Sequence, residues 1–119
     1  MPSYVDGFVI PLPKKNLAPY RRMARACAKI WREHGALDFR ETVGNDLAVK
    51  CGPGFPGGIR LKRGETVVFS WIEFKSRAHR DRVNAAVLKD PRIAALCGPD
   101  NMPFDATRML YGGFAVIAA

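Results

Sequence analysis

The sequence predicts an α+β fold, a four-stranded antiparallel sheet with two helices on one face. Three observations point there. Two segments repeat apolar residues at helical spacing, one from Leu17 to His34 and one from Ser76 to Lys89. Four others are rich in β-branched and aromatic residues and are bounded by proline or glycine. Their order is strand, helix, strand, strand, helix, strand, which with right-handed crossovers leads most simply to a ferredoxin-like βαββαβ sandwich. At 119 residues the chain suits one domain, residues 1–119.

The first strand is "YVDGFVIPL", Tyr4 to Leu12, stopped by Pro11 and Pro13. Asn16 stands just before a segment with helical spacing. The helix that follows gathers Leu17, Tyr20, Met23, Ala24, Cys27, Ile30, Trp31 and His34 on one stripe and Arg21, Arg22, Arg25, Lys29 and Arg32 opposite. Burying such a stripe is worth roughly 10–20 kcal/mol gross, about what ordering that many residues costs, so the helix must dock to exist. Gly35 follows at the position of a left-handed C-terminal cap.

"ALDFRETV" gives a second strand, with Leu37, Phe39 and Val43 on one side and Asp38, Arg40 and Thr42 on the other, the pattern of a sheet edge. Residues 44–64 turn irregular, and "CGPGFPGG" reads as a flexible arm. "ETVVFSWIEF", Glu65 to Phe74, is apolar on both sides and so belongs inside the sheet. Ser76 N-caps the second long helix, in which His79 shares a sector with Val83, Ala86 and Val87 while Arg77, Asp81, Arg82, Asn84 and Lys89 face away. "DPRIAALCG" adds a helical turn, "PDNMPFD" a loop, and "RMLYGGFAVI", Arg108 to Ile117, the last strand, where Gly112 and Gly113 mark a bulge or a close approach. With the first and third strands central, the sheet face away from the helices is an apolar patch larger than monomers tolerate. A homodimer packing sheet against sheet covers it.

The bulk properties narrow the function classes. The N-terminal apolar run is broken by Asp6, Pro11 and Pro13 and lacks preceding basic residues, which argues against a signal peptide or a membrane span. Three widely spaced cysteines, Cys27, Cys51 and Cys97, form no CxxC pair and no zinc pattern, so we expect reduced thiols, a cytoplasmic protein and no metal. The net charge of +8 favours anionic partners.

Four segments, "YVDGFVIPLPKKNL", "WREHGALDFRETVGND", "ETVVFSWIEFKSRAHRDRVNAAVLKDPR" and "MPFDATRMLYGGF", together resemble the YbaA-like family of uncharacterised bacterial proteins, a domain of unknown function. The resemblance covers nearly the whole chain and is weakest in "CGPGFPGGIRLKRG", where mainly Phe55-Pro56 remains. It implies a dimeric α/β barrel, the architecture of small cofactor-independent monooxygenases, muconolactone isomerase-like and stress-responsive proteins. It brings no established activity and no catalytic residues. Some relatives carry a label connecting them to signal recognition particle RNA.

Candidate sites follow from residue type and position. His79, between helix and sheet, is the candidate catalytic base, and the plain alternative is a core histidine bonded to backbone. Asp6, an acid inside a central strand, needs a partner, for which Arg108 on the neighbouring strand is suited. Trp71 and Tyr111, with the paired glycines, are candidate pocket walls, as against aromatic packing. Asn84 is assigned to solvent or a cap and His34 to the helix dipole. Cys27 reads as an inert core thiol and Cys51 as the reactive one. The expectation is a small-molecule-binding homodimer without cofactor, its ligand in a cleft between helices and sheet lined by some of Asp6, Trp71, His79, Arg108 and Tyr111, with proton abstraction or cofactor-free oxygenation as the chemistry. Alternatives are an RNA-associated protein using the basic helix face, less favoured because RNA-stacking motifs are absent from the strands, and a structural or regulatory dimer.

Overall fold

Strand β1, Tyr4–Pro13, lies at the centre of the sheet and alternates its side chains between two faces of different character. The computed structural model describes residues 3–119; Met1 and Pro2, the start of the segment read as lacking a signal peptide, lie outside the described residues. After β1 come a 3-10 turn at Lys14–Asn16, helix α1 at Leu17–Glu33, β2 at Asp38–Val43 and a short helix α2 at Gly54–Gly58. Then follow β3 at Glu65–Phe74, α3 at Arg77–Leu88, α4 at Pro91–Leu96, two 3-10 turns and β4 at Leu110–Ala115. The strands run in the order β2-β3-β1-β4, every neighbouring pair antiparallel.

Register decides which residues meet. Asp6 pairs with Ile72 and Gly113, and Phe39 pairs with Ile72. Asp6, Phe8, Ile10 and Leu12 therefore share the helix-facing side with Phe39, Glu41, Val68, Ser70, Ile72 and Phe74. On that side Ile30, Val83, Val87 and Ile93 close over Phe39, Ile72 and Phe74, while Tyr20 and Ala24 close over Ile10, Leu12 and Val68. The opposite side carries Val5, Val9, Phe69, Trp71, Leu110 and Phe114, and here Phe69 is 45%, Leu110 55% and Phe114 61% exposed.

Local signals end the elements largely where their chemistry requires. Ser76 Oγ accepts the His79 N–H at 3.1 Å and starts α3, and Asp90 Oδ1 accepts from Arg92 N–H at 3.0 Å and starts α4. Gly35, at φ +115, ends α1 in the left-handed region that glycine adopts without a Cβ penalty. Asn16 does not cap α1: its Nδ2 donates to the Pro103 carbonyl at 2.7 Å, tying the helix entry to the loop before β4.

Two expectations need correction, and a choice left open at Gly112 and Gly113 is decided. The Gly/Pro-rich arm contains α2, and Phe55 on it packs against Phe69 with ring centroids 6.2 Å apart. It lies over the outer sheet face beside the buried Val67. Gly112 and Gly113 form no bulge but pair in register with Gly7 and Asp6. The close approach is real, since a Cβ on Gly113 would collide with the Tyr4 ring. Arg108 belongs to a 3-10 turn before β4 and not to the strand.

Candidate functional site

A concavity opens between α1 and the edge strand β2. Ala24 and Ala28 lie one helical turn apart, and their small side chains leave a cleft of about 400 Å³ against Phe39, Val43 and Val68. Leu17, Tyr20, Glu41 and Thr42 complete its walls, and Arg21, Arg25 and Arg32 stand along the α1 side. The alternation of β2 that turns Phe39 inward turns Glu41 inward too, so a carboxylate enters an otherwise apolar space.

Tyr20 meets that carboxylate, its hydroxyl donating to Glu41 Oε1 at 2.7 Å. Glu41 is exposed to solvent at the mouth of the cleft, and partial desolvation by the walls around it raises its pKa above the usual glutamate value. Hydrogen bonds from Tyr20 and Ser70 oppose that rise. Burial, then the charge of Glu41, pushes the Tyr20 phenol well above its ordinary range, which keeps it a donor. Arg32 is held by Asp38 Oδ1 at 3.4 Å and by the Phe39 carbonyl at 3.0 Å. Arg21 and Arg25 are exposed, and among the described residues neither meets a carboxylate.

A second polar group is built deeper, where β1 passes under α3. Asp6, 6% exposed, accepts from Arg80 Nη1 at 2.7 Å and from Asn84 Nδ2 at 3.1 Å. Asn84 in turn accepts the Trp31 indole N–H at 3.1 Å, and the Arg80 guanidinium lies 4.9 Å above the Tyr4 ring. Every Asp6 oxygen is thereby satisfied, which marks a structural network joining sheet, α1 and α3.

The residues singled out from sequence do not converge. Asp6 pairs with Arg80 and Asn84, not with Arg108. The reason is register: Arg108 bonds Glu65 at 2.6 and 3.0 Å, and Glu65 lies opposite Pro13, seven residues and about 20 Å along β1 from Asp6. Trp71 pairs with Gly7 and so projects from the face opposite the cleft, 5.6 Å from Phe69. Tyr111 shares the helix-facing side but lies on the edge strand, 72% exposed and stacked on Phe8 at 6.0 Å.

His79 is half-buried, edge-on to Phe74, and its Nδ1 accepts the Lys75 N–H at 3.0 Å. Partial burial, then Lys75 and Arg82, lowers its pKa, partly opposed by a backbone hydrogen bond with Gly35. The Nδ1 bond to the Lys75 backbone is the arrangement of a histidine that fixes a helix start. His34 does more than face the helix dipole: its Nε2 lies 2.9 Å from Asp90 Oδ2.

Sequence reasoning passed over Tyr20 and Glu41. Tyr20 is indistinguishable from core on a helical wheel. Glu41 did carry a signal, an acid on the apolar side of "DFRETV" between Phe39 and Val43. Among the described residues no group of three or more His, Cys, Asp or Glu stands close enough to hold a metal ion, and no helix is long and apolar enough to cross a membrane.

Comparison with known proteins agrees with this architecture. The chain is 40% identical over 115 residues to the uncharacterized protein YbaA of Escherichia coli strain K12, covering 97% of each chain. The same identity and coverage hold for YbaA of Shigella flexneri. Among solved structures, a dimeric ferredoxin-like protein from an uncultured marine organism superposes with a TM-score of 0.56 over 100% of this chain and 99% of its own, at 15% identity. Residues 3–106 match the family described as a protein of unknown function, DUF1428, and the chain therefore belongs to that family.

Proposed function

We propose that the α1–β2 cleft binds a small amphipathic anion, an organic acid with an apolar body, in a homodimer formed through the outer sheet face. The carrying observation is the cleft itself: apolar walls, one carboxylate bonded to one phenol, and Arg21 and Arg25 without carboxylate partners at the rim. The apolar body replaces water against Ala24, Ala28, Phe39 and Val68, and the anionic group is held by arginine, whose planar guanidinium matches a carboxylate in two-point contact.

The chemistry that best suits the pair is proton transfer at a carbon next to a carbonyl, the isomerase-like reading. A carboxylate whose pKa is raised above its ordinary value is a better base for taking and returning a proton. Tyr20, held in its donor form, supplies a hydrogen bond to the oxygen on which charge develops.

Dimerisation rests on the exposed Phe69, Leu110 and Phe114 with Val5, Val9 and Trp71 around them. That face points away from the cleft, so pairing two sheets leaves both clefts open. The dimeric ferredoxin-like protein of similar fold supports this reading. An RNA-binding role is less well supported, because the exposed aromatics Phe69 and Phe114 stand on the side of the sheet away from the arginines of α1, and Tyr111 on the helix-facing side is already stacked on Phe8.

Thermal unfolding against a panel of small acids tests the proposal. Aromatic and medium-chain carboxylates should raise the midpoint, and the matching neutral amides should not. Equal effects of acids and amides, or none from either, would set the proposal aside.

A further inference from the structure

Cys27 and Cys97 lie 70 positions apart in the chain, yet their sulfurs are 3.7 Å apart. Cys27 belongs to the buried stripe of α1, and Cys97 is the residue that ends α4. The helices that carry them are already clamped together. Arg92 Nη2 donates to Glu33 Oε2 at 2.7 Å and to Asp90 Oδ2 at 2.8 Å, and Asp90 holds His34. Sulfur atoms so placed have less than 2 Å to close to reach the roughly 2.0 Å of a bond.

We propose that Cys27 and Cys97 form a reversible dithiol–disulfide pair driven by hydroperoxide, which staples the end of α4 to the inner stripe of α1. The half-buried Cys97 is the entry point for the oxidant, since Cys27 is enclosed. The two sulfurs lie within hydrogen-bond reach of each other, and this contact lowers the Cys97 pKa to about 7 while raising that of Cys27. The exposure of Cys97, beside the enclosed Cys27, assigns the attacking thiolate to Cys97.

The Cys97 thiolate attacks one peroxide oxygen. The O–O bond breaks, the departing hydroxide takes a proton to become water, and Cys97 is left as a sulfenic acid. Cys27 then loses its proton to solvent and attacks the Cys97 sulfur. The S–O bond breaks, and the hydroxide leaves as a second water. In total, two thiols lose two electrons and two protons while one hydrogen peroxide is reduced to two waters. A reducing dithiol reverses the step. Cys51, exposed on the arm, has no thiol beside it to complete the second half of this sequence.

The test uses Cys51→Ser, a change on the exposed arm that leaves both core thiols in place. The protein is exposed to a few equivalents of hydrogen peroxide, then unfolded and alkylated. The expected result is loss of both alkylatable thiols, a mass lower by two hydrogens, a peptide joining Cys27 to Cys97, and full recovery with dithiothreitol. In Cys27→Ser/Cys51→Ser the reaction should stop at a Cys97 sulfenic acid trapped by dimedone; the decision rests on the single variant if this one fails to fold. Conversion of Cys97 to sulfinic acid with Cys27 still alkylatable overturns the proposal. So does survival of both thiols at a dose that fully oxidises free cysteine, or a disulfide joining two chains.

Discussion

Tyr20 and Glu41 face each other across the α1–β2 cleft, phenol donating to carboxylate at 2.7 Å, although one belongs to a helix stripe and the other to an edge strand. The bond satisfies a carboxylate that its surroundings partly dehydrate. Tyr20→Phe should cost about 1 kcal/mol, because Glu41 Oε1 loses the Tyr20 donor. Urea unfolding at neutral pH measures it.

Glu41 also sets a pH dependence. Its folded pKa lies above the ordinary value of 4.5, so the native state holds that proton more tightly than the unfolded chain does. Ionisation therefore destabilises the fold, the loss beginning as pH rises past the unfolded value and ending above the folded one. Glu41→Gln cannot ionise, so its stability relative to the natural protein should grow across that window. Thermal midpoints recorded from about pH 4 to about pH 8 should show the two curves diverging upward in pH.

His79 has the opposite linkage. Its folded pKa lies below the ordinary 6.5, so the native state resists protonation, and this contribution is complete above 6.5 and lost as pH falls through that value toward the folded pKa. His79→Gln should flatten this acid-side loss in the same unfolding series. Binding of organic acids in the cleft should be unchanged, because His79 does not line it.

Arg80, not Arg108, is the residue on which Asp6 depends. Arg80→Ala should destabilise the fold by about 2–3 kcal/mol, since it leaves a carboxylate in the interior with only Asn84 beside it. Arg108→Ala removes contacts to Glu65 and the Arg60 carbonyl and should leave that network intact. Chemical denaturation of the two variants separates them.

The sheet, its order and the helix boundaries were legible because they rest on local rules. Period-two alternation placed Phe39 and Val43 together, Ser76 marked the start of α3, and Gly35 the end of α1. Pairings between distant segments were not legible, because nothing local encodes register. A one-residue difference in β3 decides whether Trp71 lines the cleft or the outer face. The same limit hid Arg80 from Asp6, 74 positions away, and Cys97 from Cys27. Asn84 looked like a solvent-facing residue because its helical sector is polar, yet the indole of Trp31 and the carboxylate of Asp6 make that sector an interior one.

The outer sheet face predicts assembly. Sedimentation at micromolar concentration should give about twice the chain mass of 13.2 kDa. Phe69→Asp with Phe114→Asp should give a folded monomer, because both rings sit in the patch and neither belongs to the core on the helix side. A natural protein that stays monomeric across that range would contradict the dimer.

The most direct measurement of the cleft proposal is calorimetric titration with cinnamate, an aromatic carboxylate small enough for about 400 Å³. Charge reversal at the rim, Arg25→Glu, should weaken binding at least tenfold, whereas Arg77→Glu, an equal change on the exposed side of α3, should leave it within about twofold. Equal weakening by both would reduce the effect to net charge. Saturable cinnamate binding indifferent to Arg25→Glu would contradict the assignment of the α1–β2 cleft as the anion site.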